Sequence, residues 1–143
     1  MGCDLCVYVP DNGDYDCAMA YSSFNRVRIS IIALYLEKIG ASVDISDGDA
    51  FNLTMSIVSK TLQDDVSKAL DDLNTEEADA MKVFWEHSDC DGQYYSDDCL
   101  NIASGINKII DMFNEDDDDK FVAKNLADMF QYAGSKDGIV EVM

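Results

Sequence analysis

The densest run of chemically capable side chains is His87-Ser88-Asp89-Cys90-Asp91-Gly92-Gln93-Tyr94-Tyr95-Ser96-Asp97-Asp98. Two acids at alternate positions, Asp89 and Asp91, can converge on one ion. Gly92 permits a sharp turn with a left-handed backbone, and Gln93 can offer its carbonyl. Carboxylate and carbonyl oxygens together suit a hard divalent cation, calcium or magnesium. The candidate metal ligands are therefore His87, Asp89, Asp91, Gln93 and Asp98.

Counted as a twelve-residue loop from His87, the run puts Asp89 third, Asp91 fifth, Gly92 sixth, Tyr94 at the apolar eighth position and Asp98 twelfth. Apolar helical patterns flank it on both sides, so by motif and context it resembles an EF-hand. Two positions depart from that pattern. His87 brings an imidazole where an aspartate normally supplies an oxygen ligand, a poor match for calcium. Asp98 is one methylene shorter than the usual glutamate, which weakens bidentate reach to calcium and shifts the preference toward the smaller magnesium ion. No second loop of this spacing is present to form the usual pair. The structural alternative is a turn in which Asp89 and Asp91 accept backbone hydrogen bonds without any metal.

Softer metal chemistry is the weaker reading. Cys3, Cys6, Cys17, Cys90 and Cys99 with His87 could serve zinc, and Cys3-Asp4-Leu5-Cys6 has ligand spacing, but no second matching pair follows it. Hydrolytic chemistry would have to use the single histidine, His87, with Ser88 or Cys90. Its place at a helix end beside Trp85 gives it an ordinary structural role as well. Acid pairs such as Asp64-Asp65, Asp71-Asp72 and Asp97-Asp98 are too numerous to mark a catalytic centre. No catalytic residue is assigned, and no phosphate-cradling glycine loop occurs.

The elements that must position the loop follow from periodicity. Leu5 to Val9 reads as a short edge strand or extended cover, closed by Pro10 and Asp11-Asn12-Gly13. Phe24, Val27, Ile31, Leu34 and Tyr35 predict a helix starting at Ser22 or Ser23 and stopped by Gly40. After an exposed turn over 41–50, Phe51, Met55, Val58, Leu62, Val66, Leu70 and Leu73 predict one helix or two, broken near Lys60. Asn74-Thr75-Glu76-Glu77 caps the helix that leads to His87. Beyond the loop, Leu100 to Phe113 is helical from about Ser96. Asp116 to Asp119 then form a solvated cap for a last helix ended by Gly134, and Ile139 to Val142 can pair with residues 5–9. The expected fold is mainly α (α+β): one acidic globular domain over 1–143, with about five helices, an EF-hand-like helix-loop-helix and a small two-stranded terminal sheet. Arg26, on the first helix, is expected to reach the Asp89–Asp91 loop, which would make its loss costlier than that of Arg28.

Composition bounds the partners. The 143 residues hold 29 acids and 10 lysines and arginines, a net charge of −19, with 48% apolar residues to build a core. Residues 72–143 carry 18 of those acids against 5 bases, so the anionic face falls mainly on the second half. Such a surface repels phosphate backbones and anionic lipids, which argues against direct nucleic-acid binding and membrane attachment and favours a basic partner. The start lacks the basic-then-apolar order of a secretory signal, and the odd set of five cysteines reads as reduced thiols, so the expected compartment is the cytoplasm.

Three blocks carry a wider resemblance: Tyr21-Ser22-Ser23-Phe24-Asn25-Arg26, His87-Ser88-Asp89-Cys90-Asp91-Gly92 with Cys99 after it, and Phe130 to Val142. Together they resemble a family of small uncharacterised bacterial and phage proteins, whose members generally read Glu where this chain has Asp98. The resemblance implies one coherent domain and no particular activity. The leading expectation is a non-enzymatic acidic protein-binding module, in its narrower form a phage-encoded inhibitor or nucleic-acid mimic, that occupies a basic surface of a host protein. The alternatives are a divalent-cation-binding structural or regulatory protein using the 87–98 loop, and a metal-dependent hydrolase or nuclease. The oligomeric state is left open.

Overall fold

The computed structural model describes residues 2–9, 13–40, 60–87 and 92–142. Strands β1 (Gly2–Val9) and β2 (Gly13–Ala20) lead into helix α1 (Tyr21–Lys38). Helices α2 (Lys60–Asp72) and α3 (Glu76–Glu86) follow, then the two-residue strand β3 (Gln93–Tyr94) and helix α4 (Ser96–Ile109). A 3-10 turn (Ile110–Met112), helix α5 (Asp118–Ser135) and strand β4 (Ile139–Val142) complete the chain. The fold is mainly α with a small antiparallel sheet. The turn expected over 41–50 and the helical spacing from Phe51 to Val58 lie outside the described residues.

The sheet runs β2-β1-β4-β3, every neighbour antiparallel. The predicted pairing of the first and last segments is present, with Leu5 opposite Val142 and Tyr8 opposite Ile139. Two expectations are corrected. The sheet has four strands instead of two, and β1 is an inner strand rather than an edge, because Gly13–Ala20 returns alongside it and hydrogen-bonds its other side. Side chains opposite one another share a sheet face. Val7, Val140 and Tyr94 form such a row and are all fully buried, whereas Tyr8 and Gln93 on the alternate positions are exposed.

The inner face covers a helical core. Helix α1 buries Val27, Ile29, Ile31, Ile32, Tyr35 and Leu36, residues spread around much of its circumference, so it runs as a central helix rather than a surface one. Helices α4 and α5 pack closely at Gly134, where a Cβ would fall 2.4 Å from Leu100 Cγ and 2.9 Å from the Leu100 backbone nitrogen. Gly134 was expected to stop the last helix, but it lies within the last turn of α5 and packs against Leu100 of α4. The chain turns instead at Asp137, with φ of 55°.

Several caps follow the sequence logic. Thr75 Oγ1 accepts from Ala78 N at 3.0 Å at the start of α3, after Asn74 has turned the chain with φ of 53°. In the aspartate run, Asp117 accepts from Asp119 N at 2.9 Å and caps α5.

Candidate functional site

The described part of the loop between α3 and α4, from Gly92 onward, follows the outline that its residues imply. Gly92 takes φ of 102°, Tyr94 is fully buried, and Asp98 lies in the first turn of α4. Strand β3 occupies the seventh and eighth loop positions and pairs with β4, Gln93 opposite Glu141 and Tyr94 opposite Val140. The C-terminal strand thus holds the loop where a second loop of the same kind would otherwise pair. Tyr94 anchors it from beneath, edge-on to Phe130 with ring centres 5.1 Å apart and tilted 46° to Phe84 at 6.4 Å.

Among the expected ligands, His87 and Gln93 are brought together, and they meet each other. His87 Nε2 lies 3.0 Å from Gln93 O; since a carbonyl only accepts, Nε2–H is the donor and the proton resides there. The imidazole stacks on Tyr94, ring centres 4.1 Å apart and 25° from parallel. It also packs against Gly92, where a Cβ would fall 2.8 Å from His87 Cε1. Asp98 lines a different surface: burial first, and then the charge of Asp97, push its carboxyl above the ordinary aspartate value. Asp89 and Asp91 lie outside the described residues. No three His, Cys, Asp or Glu side chains converge on a common point among the described residues.

Arg28, not Arg26, secures the start of the loop. Arg28 Nη1 donates to His87 O at 2.7 Å and more weakly to Phe84 O at 3.4 Å, placing a guanidinium at the negative end of α3. It is the one buried charged side chain among the described residues. Arg26 gives its Nε and Nη2 to Asp119 Oδ1, at 3.1 and 2.8 Å. Two residues apart on a helix lie about 200° apart around its axis, so the two arginines must face different neighbours. Periodicity could not say which would face α3.

Beside this corner lies a pocket of about 250 Å³ lined by Arg28, Gln63, Asp64, Trp85, Glu86 and His87, across which Trp85 Nε1 donates to Gln63 O at 3.4 Å. A wider groove of about 610 Å³ runs between α3 and α4, lined by Glu76, Asp79, Asp97, Asp98, Leu100 and Asn101. Next to it, Glu77 gathers three donors: Tyr35 Oη at 2.8 Å, Ser104 Oγ at 2.7 Å and Lys108 Nζ at 2.8 Å. Burial alone would raise the Glu77 carboxyl, but the hydrogen bonds and the Lys108 charge outweigh it and hold it below its ordinary value. Burial, then the Glu77 hydrogen bond and charge, push the Tyr35 phenol up. The sequence showed Glu77 only as a first-turn acid; its donors come from two other helices.

Of the five cysteines, Cys99 is the one whose side chain is described, and Cys90 lies outside the described residues. Cys99 is fully buried, its thiol 3.6 Å from Tyr94 O, and burial raises it to about 12, far from a metal-binding thiolate. Cys3 and Cys6 lie on strand β1, and a strand spreads residues three apart over about 10 Å, whereas a Cys-x-x-Cys chelate needs the chain to turn. No described helix is long and apolar enough to cross a membrane. No protein-family model, curated protein or solved structure matches this chain.

Proposed function

We propose that the chain is a non-enzymatic acidic module that works in the cytoplasm by occupying a basic surface of another protein, in the manner of a nucleic-acid mimic. One observation supports this above the others: no carboxylate among the described side chains is buried and most are exposed, and they far outnumber the cationic side chains, several of which are paired within the fold. Arg26 is held by Asp119, Lys82 by Asp71, Lys108 by Glu77 and Lys120 by Glu115. Arg28 is spent on backbone carbonyls. The outward field is therefore anionic over α2, the α3–α4 groove and the start of α5, and a field of one sign steers oppositely charged partners while repelling nucleic acid itself.

Capture from bacterial lysate on the immobilised chain tests this, followed by elution with rising salt and separately with duplex DNA. The expected result is a retained basic nucleic-acid-binding protein released by both, because the shared attraction is electrostatic. Retention indifferent to salt and to DNA, or no basic protein retained, would overturn the proposal.

A further inference from the structure

The loop from His87 to Asp98 implies a calcium or magnesium ion, and the residues described around it do not fit one. We propose that His87 is a built-in replacement for that ion: its side chain ties the first position of the loop directly to the seventh and fills the place between them that a divalent cation would need.

In a loop of this kind, the first-position side chain and the seventh-position backbone carbonyl are both ligands of the same ion. Here those two groups, His87 Nε2 and Gln93 O, are joined directly at 3.0 Å. A calcium ion would sit about 2.3–2.6 Å from that oxygen and magnesium closer still, within the space that Nε2 and its proton fill. The ring is held in place by Gly92 on one side and the Tyr94 ring on the other. The nitrogen facing the carbonyl carries a proton, so it has no lone pair to offer a metal. Asp98, the twelfth-position carboxylate, lines the outer groove with Glu76, Asp79 and Asp97, a groove to which His87 does not contribute. Of the three donors described, two are bonded to each other and the third lines a separate groove.

The clasp also accounts for the departure at the first position. A cation-dependent loop ties its incoming helix to its short strand through the ion; this one ties α3 to β3 through one side chain, a link that needs no cation. Arg28 reinforces the same residue from behind through His87 O.

The test uses the full chain, freed of metal with EDTA and then studied at near-physiological salt. Calorimetric titration with calcium chloride and with magnesium chloride should show no saturable uptake of a single ion, and thermal unfolding should have the same midpoint in EDTA as in millimolar cation. His87→Ala should lower that midpoint by a few degrees, equally with and without cation. His87→Gln, whose amide can donate to the same carbonyl, should recover part of the loss. Saturable binding of one calcium or magnesium ion that is lost in Asp98→Asn would overturn the proposal, as would a His87→Ala midpoint equal to that of the parent chain. Saturable one-ion binding that is lost in Asp91→Asn would overturn it equally, since Asp91 belongs to the same loop.

Discussion

Arg28 Nη1 donates to the carbonyl oxygen of His87 at 2.7 Å, so a buried cation on the central helix seals the end of α3 at the residue where the loop begins. The helix end, the loop and the core helix are coupled through that one contact.

Removing Arg28 should therefore cost more than removing Arg26, the reverse of what the sequence suggests. Arg28→Met keeps much of the buried stem but leaves the carbonyls of Phe84 and His87 without this donor, and a lost charge-assisted bond of this kind costs about 1.5–3 kcal/mol. Arg26→Ala breaks a pair whose arginine is 44% exposed, for which about 0.2–1 kcal/mol is expected. Urea unfolding of both variants measures the order, and equal losses would count against the cap.

Glu77 should contribute to stability in a pH-dependent way. Its carboxyl is held below the ordinary value of 4.5, so the stabilisation is complete above that value and disappears as pH falls through the lower folded value. Glu77→Gln should thus be less stable than the parent by about 1–3 kcal/mol near neutrality, with the gap closing in acid. A gap that stays constant down to the acid unfolding limb would show that the carboxylate charge plays no part.

Cys99 should be chemically silent in the folded protein. With its thiol buried and raised to about 12, almost no thiolate exists at mildly alkaline pH. Iodoacetamide followed by peptide mass mapping should leave Cys99 unmodified in buffer and modify it in urea. Rapid labelling of Cys99 in the native state would contradict its burial.

The two buried helical glycines should respond differently to alanine. Gly134→Ala drives a methyl group into the backbone of α4, which cannot retreat, and overpacking of this type costs about 1–3 kcal/mol. At Gly105 the obstacle is Met81 Sδ at 2.5 Å, the flexible end of a thioether side chain. Gly105→Ala should come closer to neutral, because the helix preference of alanine, about 1 kcal/mol over glycine, offsets the crowding. Chemical denaturation that ranks Gly105→Ala as the worse of the two would reverse this reading of the α4–α5 contact.

The sequence by itself determined whatever depends on a few neighbouring residues. The spacing of Val27, Ile31 and Tyr35, the cap at Thr75, the aspartate at the head of α5, the turn at Gly92 and the burial of Tyr94 all follow from local periodicity or backbone preference. Complementary apolar strands at the two ends of the chain also announced their pairing. What only the tertiary structure decided are relationships set by the rotation of one element against another. They are the return of Gly13–Ala20 beside β1, the choice of Arg28 over Arg26 at α3, the gathering of Tyr35, Ser104 and Lys108 on Glu77, and the closure of His87 onto Gln93. Periodicity says which residues share a face, but the partner of each face is fixed by packing, and a single imidazole in a loop of acids reads as a poor ligand until packing sets it against Gln93 O and the Tyr94 ring.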